Sequence, residues 1–442
     1  MSYALKGVSV VGALALQTAA LLAQPAGIYT TNAYEGANPR SALVLSDHTL
    51  YGTTTEHAGV WGGPCGSVFK VDIDGTQFAV LHFFPPLNYP NPTNSDGSAP
   101  RAGLVLSGHM LYGTASAGGR GGSGTVFKIN TDGTGFAVLH SFAAERLPTR
   151  PSNADGARPL ARLTLSGHTL YGTTERGGNN EGTVFKLTTD GTGFTTLHTF
   201  AVLTGPDLTN WDGAFPQAEL VVSGSMLYGT AWSGGPARSG TVFKMNVDGA
   251  GFAVLHSFAV RRSAPYNDYG GPCNDDGAYP EAGLALSGTT LYGSAHTGGR
   301  AGKGTVFKLK TDGTGFKVLH TFSAHSNTSL DNLNRDGEDP KGLFLSGHTL
   351  YGVASANGRG GWGTLFRLKT DGTGFEVLHS FKGSDGSSPQ GTLLLSGNTL
   401  CGAANFGGGQ GGGTVFKLKP NGTAFNVLHR FIKEPLPPGL TD

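Results

Sequence analysis

The apolar positions of this chain fall into short runs, each closed by glycine, aspartate or serine. Four of them follow one another between residues 102 and 142: AGLVLS (102–107), MLYGTA (110–115), GTVFKIN (124–130) and FAVLHSF (136–142). Runs of this length, rich in valine, threonine and phenylalanine and bounded by turn formers, predict β-strands. SGH joins the first pair and a glycine-rich stretch, GGRGGS, the second. TDGTG joins the third, where Asp-Gly supplies the positive φ that a hairpin needs. Val126 and Phe127 are adjacent, so they point to opposite faces of their strand, and both faces are predicted to be buried.

The pattern recurs along the chain. LYG, once LCG, begins at residues 50, 111, 170, 227, 291, 350 and 400, and VFK or LFR and then LH follow it every time. Successive copies stand 61, 59, 57, 64, 59 and 50 residues apart. Seven units of four antiparallel strands predict an all-β fold, a seven-bladed β-propeller. A solenoid coil takes roughly 20–30 residues, about half of this unit. The units begin near residues 35, 96, 155, 212, 276, 336 and 385, so residues 27–442 read as a single propeller domain. Unit one opens on its inner strand and unit seven closes on its outer one, so no blade need be split. Residues 27–34 are free to add a strand beside the last blade.

The wording of the unit carries a resemblance. DGARPLARLTLSGHTLYGTTERGGNNEGTVFKLTTDGTGFTTLHTF (155–200), with EGANP (35–39), YGTT (171–174), GTVFK (182–186) and LHSF (139–142), resembles the GloVer tandem-repeat family of choice-of-anchor proteins. The resemblance spans nearly all of the chain after the N-terminal segment. It implies an exported bacterial protein of β-propeller-like repeats. The family carries varied C-terminal anchors, whereas IKEPLPPGLTD (432–442) has no apolar helix or basic tail. Release from the cell is therefore the expectation.

Composition narrows the classes. Glycine accounts for 73 residues and proline for 23, which fits many tight turns, while 38% apolar residues and 25 phenylalanines leave enough to bury a large core. With 31 basic and 30 acidic residues the net charge is +1, so no basic surplus is available for phosphate contacts and a nucleic-acid partner is not expected. Lys6 followed by the apolar stretch 7–23 reads as a secretory signal peptide over residues 1–26, cleaved after Ala23 or Ala26. The stretch is short for a membrane span. A secreted protein, extracellular or periplasmic, with no membrane span once the signal is removed, follows as the expectation. Three cysteines exclude complete pairing within the chain. Cys401, standing for the tyrosine of LYG, reads as a small buried residue, and Cys65 and Cys273, both in GGPC, are the one candidate disulfide.

Candidate chemistry comes from residues that recur and from residues that do not. His82, His140, His198, His256, His320, His379 and His429 all occupy LH. One per outer strand spreads them round the rim, which predicts hydrogen-bonded structural roles between blades and no metal site. TDGTGF resembles a calcium loop, but most copies supply one carboxylate where calcium takes about six to eight oxygens; it reads as a turn. The aspartates of DGxxP (Asp96, Asp155, Asp212, Asp276, Asp336 and Asp385, with Glu35 and Gly36 in unit one) precede the innermost strand. They are expected either to cap its entry or to crown the central channel, where they would offer acceptors to sugar hydroxyls or to a cation. Calcium at this loop face is the one cofactor considered; otherwise none is expected.

The stretches between LHxF and DG vary most, at 11, 12, 11, 17, 13 and 3 residues. They carry Tyr89, Trp211, Tyr266 and Tyr269 beside asparagine and aspartate, the composition a polysaccharide or a surface protein would meet. No nucleophile elbow or phosphate loop occurs. Glu145, Asp207, Asp268 and Asp331 lie in loops, but nothing pairs them as a glycosidase requires. The expectation is a monomeric, non-catalytic module binding glycan or protein through its loop face. A polysaccharide-active hydrolase or lyase stands second and a self-associating envelope protein third.

Overall fold

The computed structural model describes residues 35–56, 65–88, 91–145, 153–262, 272–324 and 334–432. Seven antiparallel sheets, each with its strands in chain order, form the blades of a seven-bladed β-propeller. In the second blade the strands are Val105–Ser107, Met110–Ala115, Thr125–Asn130 and Ala137–Ser141. In the seventh, the innermost position is split into Ser387–Pro389 and Leu394–Ser396, both paired with Thr399–Phe406. Each blade is continuous in sequence, as expected. The proposed signal peptide and residues 27–34 lie outside the described residues. Among those described, no helix is long and apolar enough to cross a membrane.

Adjacent side chains of the third strand do face opposite neighbours. Phe127 packs with Tyr51, Val68 and Phe84 of the first blade, while Val126 packs with Leu163, Leu170 and Phe185 of the third. One such cluster lies at each junction, and the last is made by Leu43, Leu50 and Phe69 against Cys401, Val415 and Phe431. Cys401 is fully buried there, and burial pushes its thiol up to about 12, so it is chemically inert. The glycine of LYG is required by this packing. A Cβ on Gly113 would stand 2.5 Å from the Phe127 ring and 2.9 Å from Leu104.

The outer hairpin locks each blade onto the one before it. Gly133, at φ 91°, lets the TDGTG turn of the second blade lie against Leu81 of the first. Phe136 then stacks on His82, with centroids 3.7 Å apart and planes within 8°. The same stack occurs at every junction, ending with Phe78 on His429. The turn aspartates are spent locally. Asp190, for example, accepts from the hydroxyls of Thr188 and Thr192 and from the Thr192 amide, which holds its carboxyl down to about 2. The turn reading of TDGTGF therefore describes the local geometry. Repetition of these residues is architectural: seven equivalent junctions use the same parts.

Each LH histidine also reaches a carboxylate of the next unit. His82, His140, His198, His256, His320 and His379 place Nε2 2.9–3.2 Å from Asp96, Asp155, Asp212, Asp276, Asp336 and Asp385. His429 meets Glu35 at 3.0 Å and closes the ring. The interblade role expected for the histidines is what the geometry gives. The aspartates, by contrast, do not crown the channel. The chain crosses the blade from outside inward, so Asp96 lies beside the third strand, where its carbonyl accepts from Thr125 Oγ1, and only Ser98 bridges the end of the second. Their carboxylates are consumed by the histidine and by backbone amides such as Ala143 N on Asp155.

One of these pairs sets a pH dependence. Burial depresses the His379 imidazole below its ordinary value of 6.5, more than the Asp385 carboxylate raises it. A histidine with a lowered folded-state pKa favours the unfolded chain once that chain is protonated. Stability from this site is therefore complete above pH 6.5 and is lost as pH falls through the lowered folded-state value. Urea midpoints should drop on that acid limb, and His379→Gln, which keeps a donor to Asp385, should flatten the drop. An unchanged slope in the variant would remove His379 as its source.

Candidate functional site

Where the seven units agree they build the ring; besides the variable loops, a second set of differences gathers at the mouth of the central channel. Three positions per unit carry them. The first is the residue before the proline of DGxxP: Asn38, Ala99, Arg158, Phe215, Tyr279, Asp339 and Ser388. All seven have φ between 51° and 63°, a left-handed conformation that costs about 1–3 kcal/mol for a residue other than glycine. Glycine, abundant elsewhere in the chain, occurs at none of the seven. Strain accepted for the sake of a side chain points to a use for that side chain. The second position follows the proline by one: Arg40, Arg101, Leu160, Gln217, Glu281, Lys341 and Gln390. The third stands within one residue of the end of the second strand: Thr55, Ser116, Glu175, Trp232, His296, Ser355 and Asn405.

These positions touch across blades. Glu175 of the third blade sits 3.7 Å from Arg158 and accepts from Gln217 of the fourth at 3.3 Å. Two residues further along the chain than the second position, Arg162 donates to the Leu104 carbonyl at 2.9 Å and pairs with Glu219 at 3.6 Å. The absence of a side chain on Gly103 and Gly283 makes room for Arg162 and Glu219 to lean across.

An aromatic arc runs over the third to fifth blades. Arg176 lies 4.5 Å above the Phe215 ring, Phe215 meets Trp232 at 6.3 Å, Trp232 stacks on Tyr279 at 4.7 Å and 21°, and Arg261 lies 4.3 Å above Tyr279 while bonding its hydroxyl. The pile is half-buried. Trp232 and Tyr279 cover one another's faces, Phe215 is tilted against Trp232, and the two arginines cover rings at either end. Cations held on rings in this way keep their charge available to a ligand.

A charged cluster follows at the fifth and sixth blades. Lys341 bonds Glu281 and stands 3.1 Å from His296 Nδ1, which lies 3.7 Å from both Glu281 and Asp339. Burial works to raise the Glu281 carboxyl, but the Lys341 ammonium and its hydrogen bond carry it below the usual range. Burial, with Lys341, lowers His296; burial raises Asp339. Lys341 donating to Nδ1 leaves the proton of a neutral His296 on Nε2.

The residues named from sequence lie elsewhere. Trp211 is 58% exposed, but it stands against His198 and Phe252 at the rim. Tyr89, Tyr266 and Tyr269 fall outside the described residues. Cys65 lies between the second and third strands of the first blade and Cys273 between the fourth and fifth blades, far apart round the ring, and no disulfide joins them. Among the described residues no group of three or more histidine, cysteine, aspartate or glutamate side chains is arranged to hold a metal ion.

Comparison with known proteins agrees with the ring. A family model described as the Gloeobacter/Verrucomicrobia repeat matches residues 23–152, 65–271 and 326–435, together well over half of the chain. The chain belongs to this repeat family. No curated protein matches it in sequence. Among solved structures, this repeat protein is similar to a puromycin-hydrolyzing peptidase of Mycobacterium tuberculosis at 12% identity, covering 94% of this chain and 57% of that one, with a TM-score of 0.52. A puromycin hydrolase is similar at 11% identity, covering 91% and 55%, with a TM-score of 0.52. The computationally designed Ika8 protein is similar at 16% identity, covering 88% and 87%, with a TM-score of 0.47. At 11–12% identity, the likeness to the two puromycin hydrolases shows the propeller fold alone.

Proposed function

We propose that this repeat protein is an exported, non-catalytic binding module that holds a saccharide across the mouth of its channel. The observation that carries the reading is the arc Arg176–Phe215–Trp232–Tyr279–Arg261, built entirely from residues that the other units lack at those positions. Aromatic edges supply an apolar ledge for a sugar ring, and the arginines at either end supply donors to its hydroxyls. Two of its members, Phe215 and Tyr279, are held in the left-handed conformation. A rigid, preorganised ledge loses little entropy on binding.

The test is binding of purified protein to a broad panel of cell-wall and plant polysaccharides, with and without EDTA. Saturable binding to a glycan supports the reading, and loss in EDTA adds calcium to it. Absence of binding to every glycan overturns it in favour of a protein partner or self-association. The cluster of His296, Glu281 and Asp339 favours a second reading, a hydrolase or lyase, because its burial and charges push two neighbouring carboxylates in opposite directions. Release of shortened products in the same panel decides for that reading.

A further inference from the structure

The sector of the mouth between the seventh and first blades differs from the others in what it leaves unpaired. Asn405 is fully buried and Asn38 is 1% exposed. Neither amide atom of the Asn405 side chain has a hydrogen-bond partner, nor does Asn38 Oδ1, nor the buried Nε of Arg40. They lie together. A Cβ on Gly413 would meet the Pro39 ring at 2.6 Å and the Asn405 carbonyl at 2.8 Å, and Asn38 and Arg40 flank Pro39 on either side. Leaving a buried polar atom without a partner costs about 1–3 kcal/mol. Four such atoms at one junction form an incomplete hydrogen-bonding set.

The charge of the sector is also incomplete. Burial and the nearby Arg101 guanidinium both depress Arg40 from its ordinary value, and the carboxylates of Glu56 and Glu281 act on it only through space. Elsewhere at the mouth the charges cancel in pairs: Arg158 with Glu175, Arg162 with Glu219, Lys341 with Glu281. Among the described residues, no such pair joins Arg40, Arg101, Arg176 or Arg261 to a carboxylate. Four arginines therefore face the mouth with positive charge to spare.

We propose that the junction of the seventh and first blades is an anion subsite, built by Asn405, Asn38 and Arg40 with Arg101 beside it, and that the ligand it takes is an acidic saccharide. An anionic group that presents two oxygens matches the guanidinium fork, and the amides both donate and accept, as the hydroxyls next to that group demand. Arg101 is exposed and draws the anion in. Arg40, with nothing bonded to its Nε, keeps that donor for the incoming group. A uronate carboxylate and a sulfate ester share this chemistry. The proposal rests on the saccharide reading above.

The experiment is titration calorimetry with a hexuronate oligosaccharide, a sulfated one and the neutral counterpart, at low and high salt. The wild-type protein should prefer at least one acidic ligand by about tenfold over the neutral one, and salt should weaken that preference. Whichever acid is preferred names the source. Arg101→Gln, at an exposed position that leaves the fold intact, and Asn405→Leu, which replaces the orphaned amide with an apolar group of similar size, should each reduce the preference while neutral binding persists. Equal affinity for acidic and neutral ligands overturns the anion subsite and leaves the saccharide reading standing. So does a preference that survives both variants; if Asn405→Leu also raises stability, the amide atoms hold ordered water alone. Binding to none of the three overturns both.

Discussion

Trp232→Ala should weaken saccharide binding by about 2 kcal/mol or more, roughly a 30-fold rise in Kd, because buried aromatic anchors dominate recognition surfaces. Trp232 is the middle of the arc. Without it Phe215 and Tyr279 lose the ring between them, and the ledge becomes two separate edges. The fold should survive, since the same position is serine in the second and sixth units and asparagine in the seventh. Trp211→Ala is the matched control: an exposed tryptophan at the rim, whose loss should leave Kd unchanged. Calorimetry on both variants decides between mouth and rim. If Trp211→Ala weakens binding and Trp232→Ala does not, the site belongs to the variable loops, as the sequence alone suggested.

Phe142→Ala should cost about 3–5 kcal/mol of folding stability, the range for emptying a buried aromatic position. The ring is fully buried at the junction of the second and third blades. It meets His140 at 4.8 Å, Phe185 at 5.4 Å and Phe194 at 5.9 Å, edge-on in every case. Its loss leaves a cavity and also unseats the stack of His140 on Phe194 that carries the Asp155 contact. Urea unfolding with two probes measures the cost. A loss under about 1 kcal/mol would mean that the junction collapses to fill the space and is not rigidly packed.

Strand number and the assignment of the third strand to two neighbours were legible because the apolar pattern is visible in any one copy, and blade number because the copies recur. The pairing of LH histidines with DGxxP aspartates was half legible. Each set was visible as a recurrence, but the path of the chain across the blade was not, so the aspartates were expected either to cap the innermost strand or to crown the channel. Glu35 held the missing signal: unit one lacks the aspartate yet keeps a carboxylate at that place, as a partner for the seventh histidine requires. The mouth escaped because strain and contact across blades leave no periodic trace. Comparing the copies position by position would have exposed Phe215, Trp232 and Tyr279 as residues that no other unit has.

Seven left-handed positions carry seven different side chains on one unchanging backbone. Since the conformation is imposed by the ring and not by the residue that occupies it, the lettering of the mouth is separable from the frame that displays it. Exchanging the three variable residues of one blade for those of another should transplant chemistry without refitting the core. The ring in that sense works as a carousel with seven addressable seats, on which a new specificity is reached by reassigning occupants and not by remodelling loops.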